Sequence, residues 1–357
     1  MTRALKIAGA MAIAIALCAS FAGAQDKISP VSDYQFRKDY AQYENIRKET
    51  DLPKRAALLI AFMKEHPISK ALSYVASAYQ ECVAPHLQNK DWAKVTSMEE
   101  ELLKLMPTEK TVQAAAVPEP GASDFLKNIL PSSLKSIQTV LLQVYYQANN
   151  LPKAAEMGET IYAAGPDKAM AAQLADIYLK MQNYDKYLIY GDKVLAEFPI
   201  TQAYGMALQM MRVCFQKQNN AKGMELLSKV VEAFPDKTPE GVKNEEWNIY
   251  RATYWNPKAV EAYKRKDYPK AIELFEKVIS FSPKGDDVPY YYIGMSKWNS
   301  KDPEGAIPYF AKALVLGKAN AAKAKQYLED LYKARHNDSL DGLDQVLAKA
   351  KSELGVS

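Results

Sequence analysis

The chain has 357 residues, with 46 lysines and arginines against 42 aspartates and glutamates, a formal charge of +4. The charges are nearly balanced and interspersed, which excludes the concentrated basic face of a nucleic-acid binder. The three histidines stand alone, and no Cys/His set has metal-ligand spacing.

At the N-terminus, Arg3 and Lys6 precede an apolar stretch from Ile7 to Leu17, and Ala22-Gly23-Ala24 supplies the small residues of a cleavage site. This pattern predicts an export signal over residues 1–24, a mature start at Gln25, and a periplasmic or secreted location. Without Arg3 and Lys6, 44 basic residues face 42 acidic ones and the charge is +2. The apolar stretch is shorter than the roughly 20 residues of a spanning helix. Membrane association is therefore expected only if the segment stays uncleaved or if Cys18 is lipidated, and Cys18 follows Leu17 rather than a small residue.

Farther along, prolines 67, 107, 166, 199, 235 and 283 each close a stretch of helical apolar periodicity. Sixteen residues before each stands an Asx residue: Asp51, Asp91, Asn150, Asn183, Asn219 and Asp267. A seventh unit starts at Asp302, with Lys318 in place of the proline. Asx side chains cap helix N-termini, and proline marks where a chain leaves a helix. Apolar pairs recur four and five residues before each stop, from Phe62/Met63 and Leu102/Leu103 to Val278/Ile279 and Ala313/Leu314. A buried face at a fixed offset from a cap predicts one shared second helix per unit. The first helices precede the Asx turns, most clearly over 252–265 and 289–300. Gly294, inside the latter, needs a close helix approach to offset its roughly 1 kcal/mol helix penalty.

The repeat resembles the tetratricopeptide (TPR) family, whose unit is a helix–turn–helix of about 34 residues. Trp255, Ala271, Phe275, Val278 and Pro283 fall on family positions in one unit, and Tyr290, Ile293, Gly294, Ala306, Phe310 and Ala313 in the next. Lys258-Ala259, Tyr187 and Gly223 depart from the family pattern. The resemblance implies an all-α, right-handed superhelical solenoid of TPR-like repeats with a C-terminal capping helix pair. After the signal, the expected organisation is degenerate repeats over 25–107, an Ala/Pro-rich insert over 108–133, and central repeats over 134–235. A second insert over 236–251, two clear repeats over 252–320 and the capping helices over 321–357 complete it. Within the cap, Ala321, Ala324, Tyr327, Leu328 and Leu331 form one stripe. Leu340, Leu343, Val346, Leu347 and Ala350, capped by Ser339, form another. Cys82 and Cys214 fall three repeats apart. Packed helices are separated by roughly 8–10 Å each, whereas bridged Cα atoms lie within about 7 Å, so two buried thiols are expected.

No phosphate-binding, nucleophile-elbow or zincin motif is present, and the repeats, inserts and cap occupy the chain. No catalytic residue, metal or small-molecule cofactor is expected, and Glu99-Glu100-Glu101 and Glu245-Glu246 read as solvated faces. Gly285-Asp286-Asp287 reads as a turn and helix cap. The family resemblance implies a groove lined by the first helices, into which Tyr146, Leu179, Phe215, Tyr263 and Trp298 point. Lys180, Lys264 and Asn299 follow three of these, and Arg212 lies one turn before Phe215. A protein or peptide partner is the expected ligand. The same aromatic stripe also suits packing between neighbouring helices, and no full lysine–asparagine clamp for a terminal carboxylate can be placed. Two other functions stay open: a subunit of a cell-envelope assembly or secretion complex bound through inserts or the convex face, and a helical-repeat cell-wall enzyme.

Overall fold

The structure, a computed structural model, describes residues 30–115 and 125–356. The expected signal segment 1–24, with Cys18, and residues 116–124 of the first expected insert lie outside the described residues. Those described form helices joined by turns, and they divide into two compact units, one running up to Tyr187 and one starting at Leu188.

In the first unit, helices α1 (Asp33–Arg47) and α2 (Leu52–Glu65) are followed by α3 (Leu72–Gln88) and α4 (Trp92–Leu105). After a short helix α5 (Glu109–Ala115) and a π-helical turn at Phe125–Ile129 come α6 (Leu130–Gln147), α7 (Leu151–Ala164) and α8 (Lys168–Lys180). The boundary between units falls inside α9 (Tyr184–Glu197). The second unit continues with α10 (Ile200–Gln216), α11 (Asn220–Ala233), α12 (Asn244–Lys264) and α13 (Tyr268–Phe281). It ends with α14 (Val288–Asn299), α15 (Pro303–Leu316), α16 (Ala321–Arg335) and α17 (Leu343–Leu354).

The Asx punctuation works as the sequence predicts. Asp51, Asp91, Asn150, Asn183, Asn219, Asp267 and Asp302 each accept the backbone N–H three residues on, at 2.8–3.4 Å. Six of these caps follow a non-glycine residue in the left-handed region: Lys90, Asn149, Gln182, Gln218, Lys266 and Lys301, with φ from 56° to 64°. In these six turns the Asx N–H donates to the carbonyl five residues back, at 2.8–3.0 Å. That bond closes the first helix while the Asx side chain opens the second. One residue thus serves both helix ends.

The apolar pairs before each stop also behave as predicted. Phe62, Leu102, Ile161, Val194, Val230, Val278 and Ala313, the first of each pair, are all buried. Cys82 and Cys214 are buried and free. Around α14 and α15 the core gathers Tyr290, Phe310, Ala311, Leu328 and Leu354.

Two connections differ from expectation. α12 begins at Asn244, so the connection before it is shorter than the insert 236–251, and Trp247 is completely buried where a loop was expected. α6 begins at Leu130 with Pro131 in its first turn, where the missing N–H costs nothing, so the end of the 108–133 segment is helical. At the C-terminus, α17 starts after Gly342 (φ 92°), and Ser339 instead accepts the N–H of Asp341 at 3.0 Å. Leu340 therefore precedes the helix and is exposed rather than part of its stripe.

Candidate functional site

The first helices carry the predicted groove residues, and each unit brings some of them together. In the first unit, Tyr146 near the end of α6 donates its hydroxyl to Asp176 of α8 and accepts a bond from Lys180. The lysine also pairs with Asp176 at 3.1 Å and lies 4.1 Å from the centre of the tyrosine ring. Tyr146 and the neighbouring carboxylate hold the Lys180 ammonium above its ordinary pKa. In the second unit, Arg212 of α10 donates to Glu246 of α12 at 2.6 Å, to Tyr250 at 3.0 Å and to Gln209 at 3.0 Å. Phe215, half-buried, lies over Gly223 of its own hairpin, where an added Cβ would come within 2.6 Å of the ring. Tyr263 meets Tyr292 and Tyr268, with ring centroids 4.8 and 5.8 Å away, and burial raises its pKa. Lys264 is exposed beside it. Trp298 remains 38 % exposed, and Asn299 donates to the Met295 carbonyl at 2.7 Å.

Sequence reading missed a device that the structure repeats five times. A tyrosine hydroxyl donates to a carboxylate, and a cation closes the group from above the ring. The sets are Glu100–Tyr145–Lys153, Glu159–Tyr178–Lys186, Asp176–Tyr146–Lys180, Glu246–Tyr250–Arg212 and Glu232–Tyr254–Lys258. Ring-to-cation distances run from 3.9 to 6.0 Å. The carboxylates feel the effect: Lys153 and Tyr145 hold Glu100 below its ordinary pKa, and Tyr250 and Arg212 do the same for Glu246. Each set joins different helices, and each cation also gains the ring's negative face. The usable signal was tyrosine five residues before a cap (Tyr145, Tyr178) with lysine three after it (Lys153, Lys186). In these two sets the acidic member, Glu100 or Glu159, comes from an earlier helix and carries no local mark.

The close contacts within hairpins fix the repeat type. Gly294 sits eight residues before the Asp302 cap and Phe310 eight after it, and a Cβ at Gly294 would lie 2.9 Å from the phenylalanine ring. Phe215 and Gly223 meet likewise four residues either side of the Asn219 cap. The chain folds as tetratricopeptide repeats. No family model matches it, and no curated protein does. Among solved structures, it is similar to a tetratricopeptide repeat protein from Parabacteroides merdae, with 15 % identity over 83 % of this chain and 98 % of that one and a TM-score of 0.31. The TPR domain of P58(IPK) shares 13 % identity over 90 % of this chain and 98 % of its own, with a TM-score of 0.32. PilW, a type IV pilus biogenesis factor, shares 18 % over 60 % and 98 %, with a TM-score of 0.24. The repeat assignment rests on the caps and contacts of this chain.

Glu99, Glu100 and Glu246 correct the reading of their runs as solvated faces, Glu100 because it is bound to Lys153 and Tyr145. Glu99 is completely buried, because Val95, Met98, Glu99 and Leu102 share the inner face of α4. Its Oε2 accepts from Gln80 at 2.9 Å, its Oε1 has no partner, and burial pushes its pKa up to about 7. Glu246 is bound to Arg212 and Tyr250 rather than free in solvent. Asp287 takes the N-cap position of α14, as expected, yet its carboxylate reaches the next hairpin. There it accepts the Asn320 N–H at 2.7 Å and the Asn320 side-chain amide at 2.9 Å, and it is completely buried. Among the described residues, no group of three His, Cys, Asp or Glu side chains could hold a metal ion. None of the described helices is long and apolar enough to cross a membrane.

Proposed function

We propose that the protein is an exported, non-enzymatic adaptor that grips a protein or peptide partner on the face lined by its first helices. One observation carries this reading. Trp298 is 38 % exposed beside half-buried Tyr327, although Gly294 and Phe310 already make a close contact between α14 and α15. A large aromatic left at the surface beside further aromatics is the usual anchor of a protein interface. Lys180 and Arg212 enter the reading differently. Each is already bound to a carboxylate and a tyrosine, so it stiffens its face before a ligand arrives. Export rests on the 1–24 pattern and would be checked by N-terminal sequencing of the mature protein, with Gln25 expected first.

The test is affinity capture from envelope extract, comparing wild type with the double variant Tyr263→Ala/Trp298→Ala, with helicity followed by circular dichroism. A partner retained by wild type and lost by the folded variant supports the reading. Equal capture by both would move the interface away from this face.

A further inference from the structure

The first unit holds a cleft of about 780 Å³ between α2, α3 and α4. Pro53, Ala57 and Ala61 of α2 form one wall, Met98 of α4 the other, and Cys82 and Pro85 of α3 the floor. Ala57 and Ala61 are exposed, so small side chains on the surface of α2 keep the cleft open. A mainly apolar cleft of this size with a few polar groups suits a small molecule.

The polar groups stand at two ends. Lys64 of α2 and Glu101 of α4 pair across one end at 3.6 Å. Near them, Tyr79 of α3 lines the cleft and is only 2 % exposed, and its hydroxyl has no hydrogen-bond partner among the described residues. Burial, and next the Glu101 carboxylate, push the Tyr79 pKa up to about 12, so the hydroxyl keeps its proton and is a donor. A buried donor without a partner costs free energy until an acceptor arrives. Lys94 and His86 line the opposite end, where α3 turns into α4. His86 lies 3.7 Å from Asp91, whereas Lys94 makes no ion pair among the described residues. Lys94 and Glu101 are two turns apart on α4, roughly 10 Å along its axis.

This layout specifies a ligand. Lys94 is an unneutralised cation and attracts an anion. Tyr79 needs an acceptor, but the Glu101 carboxylate near it opposes a second negative charge there. A hydroxyl meets both demands, because it accepts from Tyr79 and donates to Glu101. We infer that the α2–α3–α4 cleft binds a slender apolar acid, its carboxylate at Lys94 and a hydroxyl at its far end against Tyr79 and Glu101. The cleft belongs to the first unit and the Trp298 surface to the second, so neither reading rests on the other.

Isothermal titration calorimetry of the full mature chain tests this with three ligands. They are ω-hydroxylaurate, laurate, which lacks the hydroxyl, and the matching terminal diol, which lacks the carboxylate. A single ω-hydroxylaurate should bind per chain. Laurate and the diol should each bind about tenfold more weakly, as for the loss of one hydrogen bond to a charged group. Tyr79→Phe should weaken ω-hydroxylaurate and leave laurate unchanged. Lys94→Gln should weaken both acids and leave the diol unchanged. Ala57→Leu/Ala61→Leu, at exposed positions, should fill the cleft and abolish binding of all three ligands while circular dichroism stays that of wild type. The inference is overturned by no saturable binding, by binding that survives the two leucines, or by equal affinity for laurate and ω-hydroxylaurate. Affinities that do not change in Tyr79→Phe and Lys94→Gln also overturn it. An envelope protein captured by wild type and lost by the leucine variant, with no small acid bound, makes the cleft a protein groove and overturns it as well.

Discussion

Glu99 shows what a single inward carboxylate does to a repeat core. In the unfolded chain it titrates near the ordinary glutamate value of 4.5, whereas burial holds the folded value at about 7. Between those pH values the folded state keeps a proton that the unfolded state releases. Stability from this group is therefore full below about pH 4.5, falls as pH rises towards 7, and is level above that. The loss has an upper bound of about 3 kcal/mol. Glu99→Gln, which never charges, should abolish the decline. Urea unfolding at pH 5 and pH 8 measures it, and an equal decline in both proteins would show that Glu99 is solvated. At Lys266 the backbone rather than the charge is the burden. With φ at 63° its Cβ crowds the carbonyl, so Lys266→Gly should raise stability by about 0.5–1 kcal/mol, seen as a higher melting temperature.

At the scale of the element, the hairpin is the unit that local sequence encodes. The seven Asx caps were legible because a cap acts within three residues of itself, and so was the buried pair before each stop. Helix starts were less legible where chemistry was permissive. Nothing between Asp236 and Tyr250 breaks a helix after Gly241, so α12 extends back to Asn244 and Trp247 joins the core. The tyrosine–carboxylate–cation sets were legible only in part: two members can share a local spacing, as Glu246–Tyr250 and Tyr254–Lys258 do, but the third lies on another helix, and only packing brings it in. Glu99 could have been found, since it falls on the inner face with Val95 and Leu102, but a run of three glutamates masks that period. Gly294 carries a prediction here. In Gly294→Ala the new methyl would sit 2.9 Å from the completely buried Phe310 ring. Overpacking of about 1–3 kcal/mol should outweigh the roughly 1 kcal/mol gain in helix propensity. A chemical denaturation midpoint lower than wild type is the expected outcome, and a higher one would mean that the ring has room to move.

For the whole molecule, the groove residues named from the sequence divide by fate. Tyr146, Lys180 and Arg212 are tied into ionic sets, Phe215 is spent on Gly223, Tyr263 packs on Tyr292, and Trp298 meets Tyr327 while staying 38 % exposed. Sequence spacing could place all of them on first helices, because period and caps set the face. It could not separate rings that pack from rings that bind, because that depends on the size of the facing residue. A glycine opposite Phe215 draws the ring inward, while Gly294 and Phe310 make a close α14–α15 contact without Trp298. The ionic sets are surface features, each worth on the order of 1 kcal/mol or less. Added salt should therefore lower the melting temperature only slightly.

The turns have a mechanical consequence. Apart from α3 on α6, the described helices pack against neighbours one or two places along, and no strand ladder spans distant segments of the described residues. Pulled from its two ends, such a chain has no shear-resistant clasp to break all at once. Hairpins should peel away singly at low force, each releasing the 33–59 residues that separate successive Asx caps. An optical trap would record a staircase of small, unequal steps, and relaxing the tether would wind the hairpins back in the same increments.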